Sequence, residues 1–141
     1  MKTLKSIMVG LLLLVVCGAA RATDNATEKL SENYAINTYV DAMIRGRLDG
    51  LSDVLAPNAE FSMLRGKQVL SFSRTQMLGY FQLNKNVELA CTTSTSIVQS
   101  NMDISLVRVD MKFDGFVRSN YITLANTGNG WKITNVYSVF K

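Results

Sequence analysis

Val107-Arg108-Val109-Asp110-Met111-Lys112-Phe113-Asp114-Gly115-Phe116-Val117 decides the fold. Val107, Val109, Met111 and Phe113 share one face of an extended chain, and Arg108, Asp110 and Lys112 share the other, so the segment predicts a strand over Ile104 to Phe113 with one face buried and one wet. Asp114-Gly115 then reads as a tight hairpin turn into a second strand, Val117 to Ala125. Gly128-Asn129-Gly130 reads as another turn, into Trp131 to Phe140. Upstream, Val87 to Gln99 is rich in threonine and valine and predicts a further strand, and Ala59 to Leu64 a short one. Two glycine turns leave no room for the crossover helices that parallel strands require.

Helical signals precede the strands. Ile36, Tyr39, Val40 and Met43 recur at helical spacing within a segment from about Thr27 to Arg45, with Gly46 placed to stop it. Asp49 is placed to cap a short second helix that runs to Leu55 and ends at Pro57. Ser73-Arg74-Thr75-Gln76 has capping-box spacing ahead of Met77, Leu78, Tyr80 and Phe81, which predicts a third helix. The expected architecture is α+β, with a long N-terminal helix and two short helices packed on a curved, mainly antiparallel sheet.

The first 22 residues read as a secretory signal peptide. Lys2 and Lys5 precede an apolar run from Ile7 to Ala20, and Ala20-Arg21-Ala22 has the form of a cleavage site. The run is shorter than the ~20 residues that span a bilayer as a helix, so no stable membrane span is expected, and cleavage near Ala22 would send residues 23–141 to the periplasm or outside the cell. Leu14-Val15-Val16-Cys17 also permits a lipoprotein reading, although Val16 is bulky for that pattern. With Cys17 removed, Cys91 stands alone, and it is expected as a buried strand residue. Asn25-Ala26-Thr27 matches a glycosylation sequon, which matters only in a eukaryotic secretory pathway.

Composition excludes several functions. The chain is 48% hydrophobic and 18% charged, which is inconsistent with a disordered tail. Its formal charge of +4 is concentrated at the front, where Lys2, Lys5 and Arg21 have no acidic neighbour. Residues 23–141 hold twelve basic and eleven acidic residues, so no nucleic-acid-binding stripe is expected. The chain has no histidine, which removes Ser-His and Cys-His nucleophiles and histidine metal sites. No acidic cluster has metal-ligand spacing and no phosphate loop is present, so neither a metal nor another cofactor is expected.

Ile36 to Leu55, Ala59 to Met63, Val107 to Gly115 and the closing Gly130-Trp131-Lys132-Ile133 together resemble the nuclear transport factor 2-like superfamily of cone-shaped, cystatin-like α+β domains. That superfamily includes ketosteroid isomerases, SnoaL-like polyketide cyclases and many exported bacterial proteins. Phe116 to Leu124 and Trp131 to Asn135 most resemble the group labelled "putative lumazine-binding". The resemblance covers roughly residues 33–140. Carried over residue by residue, the isomerase pattern puts its oxyanion tyrosine on Tyr39, its catalytic base on Met63, and its second acid on Thr123 or Leu124. One of three groups is retained and the base is gone, which argues against an enzyme. Glu60 lies on the strand face opposite Met63, and Asp110 shares a face with Arg108 and Lys112, so neither is expected to replace it.

The resemblance and strand parity together imply a cone lined by Met43, Phe61, Met63, Val107, Val109, Met111, Val136 and Phe140, with Tyr39, Tyr121, Thr123 and Ser138 as its polar groups. The expected role is binding of a small apolar or aromatic molecule, or dimerisation, without catalysis; the alternative is a lyase or isomerase that needs no histidine. Trp131, Ile133, Tyr137 and Val139 alternate with Val136, Ser138 and Phe140, which makes both faces of the last strand apolar. A homodimer that buries the outer face of the sheet is expected from this pattern.

Overall fold

The computed structural model describes residues 26–141; the signal-peptide expectation, with Cys17 and its lipoprotein alternative, lies outside them. Helix α1 spans Glu32–Arg45 and α2 spans Leu51–Val54; strands β1 (Leu55–Arg65) and β2 (Gln68–Ser73) follow, then α3 (Arg74–Leu83). The chain closes with β3 (Thr92–Ser100), β4 (Ile104–Lys112), β5 (Val117–Thr127) and β6 (Gly130–Phe140). All six strands form one sheet in the order β2-β1-β6-β5-β4-β3. Every neighbouring pair is antiparallel except β1 and β6, so the fold is the expected α+β arrangement of helices on a mainly antiparallel sheet.

Local chemistry sets the helix ends. Ser31 Oγ accepts the Tyr34 amide at 3.1 Å, so α1 starts later than the periodicity from Thr27 suggests. Gly46 ends it with φ 62°, and a Cβ there would lie 2.5 Å from the Asn86 amide nitrogen and 2.6 Å from the Asn84 carbonyl oxygen. Only glycine fits both the backbone angle and that approach. The expected capping box of α3 is present, with the Gln76 amide on Ser73 Oγ and the Ser73 amide on Gln76 Oε1. Asp49 does not cap α2; the N-cap is Gly50, at φ 77° and with no side-chain bond.

Three sequence expectations need correction in the sheet. β2 was not anticipated: Arg65 pairs with Gln68 across the two-residue turn Gly66-Lys67, and Gly66 supplies the positive φ of 64°. Cys91 lies just ahead of β3 and is half-buried rather than a buried strand residue; burial still pushes its thiol pKa up. Ile133 points to the inner face although strict alternation puts it with Tyr137 outside. The register jumps from Thr123↔Asn135 to Leu124↔Ile133, and the extra residue, Thr134, reverses the phase of β6 so that Ile133 and Val136 both face inward.

The core lies between the inner face of the sheet and the helices. Val107, Val109, Met111, Ile122, Leu124 and Ile133 are fully buried, as are Ala35 and Tyr39 from α1. Burying each large aliphatic side chain contributes roughly 1.5–3 kcal/mol, while the exposed Arg45–Asp41 and half-exposed Arg108–Asp110 ion pairs contribute little. Among the described residues no helix is long and apolar enough to cross a membrane.

Candidate binding site in the cone

Tyr39 projects from α1 and is wholly buried in the core. Its ring stacks on Phe61 of β1 with centroids 6.1 Å apart and meets Phe81 of α3 edge-on at 5.9 Å. Full burial disfavours the phenolate and raises the pKa well above the usual tyrosine range, and the positive charge of Arg118 only partly offsets this. The group is therefore a neutral O–H donor at any physiological pH.

Next to it, β5 and β6 place a small polar network where the face would otherwise be apolar. Asn120 and Ser138 are opposite each other in the register, and both are buried. Ser138 Oγ donates to Asn120 Oδ1 at 2.7 Å, and Asn120 Nδ2 donates to the Val109 carbonyl at 3.2 Å. Arg118 donates through Nε to Asn120 Oδ1 at 3.0 Å and through Nη2 to Ser138 Oγ at 3.3 Å. Its guanidinium carbon lies 5.7 Å from the centre of the Phe140 ring, a cation–π distance. Among the described residues no carboxylate pairs with Arg118.

Tyr39, Met63, Arg118 and Ser138 line an inner cavity together with Phe61, Phe72 and Val136, and its volume is about 10 Å³. That is room for about one water-sized group. Outside it, a pocket of about 400 Å³ is bounded by Met63, Leu64, Arg65, Gly66 and Phe140. Met63 belongs to both walls, so the two spaces adjoin at this side chain. Neither wall includes an aspartate or glutamate, and no three potential metal ligands cluster among the described residues.

The expected lining is only partly brought together. Tyr39, Phe61, Met63, Val136 and Ser138 meet at the inner cavity, and Phe140, 44% exposed, borders the outer pocket. Met43, Val107, Val109 and Met111 are buried as core. Tyr121 and Thr123 are on the other side of the sheet: they pair with Tyr137 and Asn135 and alternate with the inward Asn120, Ile122 and Leu124. Parity along β5 permits one set or the other inside, and the wholly buried Ile122 and Leu124 take the inner places. Arg118 and Asn120 were not anticipated. Their signal in the sequence is that they share the parity of Ile122 and Leu124, which puts two polar residues on the apolar face of β5. Glu60 is exposed and Asp110 pairs with Arg108 on the outer face, so the sequence reading of these two acids agrees with their positions.

Residues 28–138 match a protein family described as "Putative lumazine-binding". The chain belongs to this family. No curated protein matches the chain. Among solved structures, a nuclear transport factor 2-like protein of unknown function from Silicibacter pomeroyi DSS-3 is 20% identical, with a TM-score of 0.62 over 86% of this chain and 97% of that one. A cystatin-like fold protein from Burkholderia xenovorans LB400 is 14% identical, with a TM-score of 0.60 over 77% and 87%. A nuclear transport factor 2-like protein of unknown function from Shewanella baltica OS155 is 12% identical, with a TM-score of 0.59 over 77% and 89%. At these identities the structures establish the fold of this lumazine-binding family member, which is that of the nuclear transport factor 2-like superfamily, and nothing about its ligand.

Proposed function

We propose that the protein is an exported domain that binds a small apolar or aromatic molecule at the mouth of its cone and does not turn it over. The observation that carries this reading is the composition of the cavity wall. Tyr39 and Arg118 supply hydrogen-bond donors, while Met63 stands where the resemblance to the isomerases puts a base. Such a site polarises a ligand oxygen, but it has no group to remove a neighbouring proton. The family's description as lumazine-binding supports a small planar ligand.

Incubation with simple ketones in deuterated water tests the absence of catalysis: no exchange above the buffer rate is expected. Exchange that disappears in Glu60→Gln or Asp110→Asn would overturn the reading. Export is tested separately by the intact mass of protein recovered outside the cytoplasm, expected to begin at Thr23; a start at Met1 or a lipidated Cys17 would contradict it. We also propose a homodimer through the outer face of the sheet, where Tyr121, Tyr137 and Val139 are half-buried. Sedimentation at micromolar concentration is expected to give twice the chain mass, and a single species at the chain mass would exclude the dimer.

A further inference from the structure

Arg118 has five N–H donors, of which Nε and one on Nη2 are taken by Asn120 and Ser138. Three remain. The two acceptors that hold the guanidinium are themselves fixed, because Asn120 is anchored to the Val109 carbonyl through Nδ2 and therefore turns Oδ1 toward the arginine. Phe140 flanks the same group. The cation is thus held in one orientation by a buried scaffold, while no described carboxylate neutralises it. Tyr39, fully buried and on the wall of the same cavity, supplies one more donor.

From this arrangement we propose that the ligand is a carboxylate: one oxygen of its anionic group occupies the inner cavity between Arg118 and Tyr39, and its apolar or aromatic body rests in the outer pocket against Met63 and Phe140. The proposal rests on the small-molecule reading above and adds the ligand's charge. Size and chemistry agree on it. The inner cavity, at about 10 Å³, admits a single oxygen-sized group, whereas the outer pocket, at about 400 Å³, accommodates a ring. A planar carboxylate uses two parallel N–H donors of a guanidinium. Arg65 on the outer wall adds positive charge, and neither wall carries a negative one. Met63 is on the wall of both spaces, and an unbranched thioether adapts its shape at low cost.

Matched pairs test the proposal. Methyl-labelled methionine spectra and titration calorimetry of wild-type protein are recorded with 1-naphthoate and with 1-naphthamide, and with cyclohexanecarboxylate and its amide. At least one carboxylate is expected to shift Met63 and to bind at least tenfold tighter than its amide. Arg118→Gln, which keeps hydrogen-bond donors toward Asn120, is expected to abolish that preference. Should Arg118→Gln fail to fold, Tyr39→Phe provides the second arm, with carboxylate affinity expected to fall several-fold and amide affinity to stay level. Equal binding of acid and amide at Met63 overturns the carboxylate and leaves the small-molecule reading in place. Absence of any shift at Met63 with all four compounds overturns both.

Discussion

The two ends of the inner sheet face are built from the same strands and differ in chemistry: one is mainly apolar, the other carries a polar network. At one end Val107, Ile122, Leu124 and Ile133 are fully buried in the apolar core, with Ser105 donating to Glu32 of α1 beside them. Two residues beyond Ile122, toward the start of β5, the same face presents Asn120 and then Arg118, with Ser138 opposite on β6. The apolar end holds the domain together. The polar end contributes less to stability, because buried polar groups do little more than recover their own desolvation when every partner is in place. Stability and recognition are therefore separable along one strand, and substitutions at the two ends should differ in kind.

The largest effect is expected at the apolar end. Ile122→Ala leaves a cavity in a fully buried position and should cost about 3 kcal/mol, read as a lowered midpoint in urea with an unchanged slope. Asn120→Leu comes next, at about 2 kcal/mol, because it strips an acceptor from both Arg118 and Ser138 in a buried network; this loss should be accompanied by a changed ligand preference, which Ile122→Ala should not show. A ligand preference altered equally by both would erase the distinction between the ends. The smallest effect is Tyr39→Phe, expected to change stability by less than about 1 kcal/mol at pH 7. It sharpens the comparison through pH. In the unfolded chain the phenol ionises above pH about 10, whereas burial holds it neutral in the folded protein. Its contribution is whole below that pH and is lost as pH rises, so wild type should lose stability more steeply than Tyr39→Phe in alkali, by up to about 1.4 kcal/mol per pH unit.

The same contrast explains what the sequence disclosed. Regular alternation in Val107 to Phe113, the capping box at Ser73 and the stop at Gly46 are local signals, and each corresponds to an element in the structure. β2 carries little local signal, since its six residues form an edge with no fully buried position. The inward turn of Ile133 depends on one extra residue in β6 relative to β5, a relation between strands that no single segment contains. For the site, the position of Tyr39 was legible from its helical spacing and from the resemblance. Tyr121 and Thr123 were placed on the wrong face because alternation gives two equivalent phases, and only the packing of Ile122 and Leu124 against the helices selects between them. Arg118 was passed over because a lone arginine in a strand ordinarily faces water.

β6 is paired on one side with β5, just before it in the chain, and on the other with β1, which ends 65 residues earlier than β6 begins. Until the eleven residues of β6 are in place, β1 and β5 both present open edges and the helices have half a surface to pack on. The sheet therefore closes in one long-range step, which places the folding barrier on the docking of β6 between β1 and β5. A chain ending at Asn129 should accordingly show no cooperative thermal transition, and such a transition would place the barrier elsewhere.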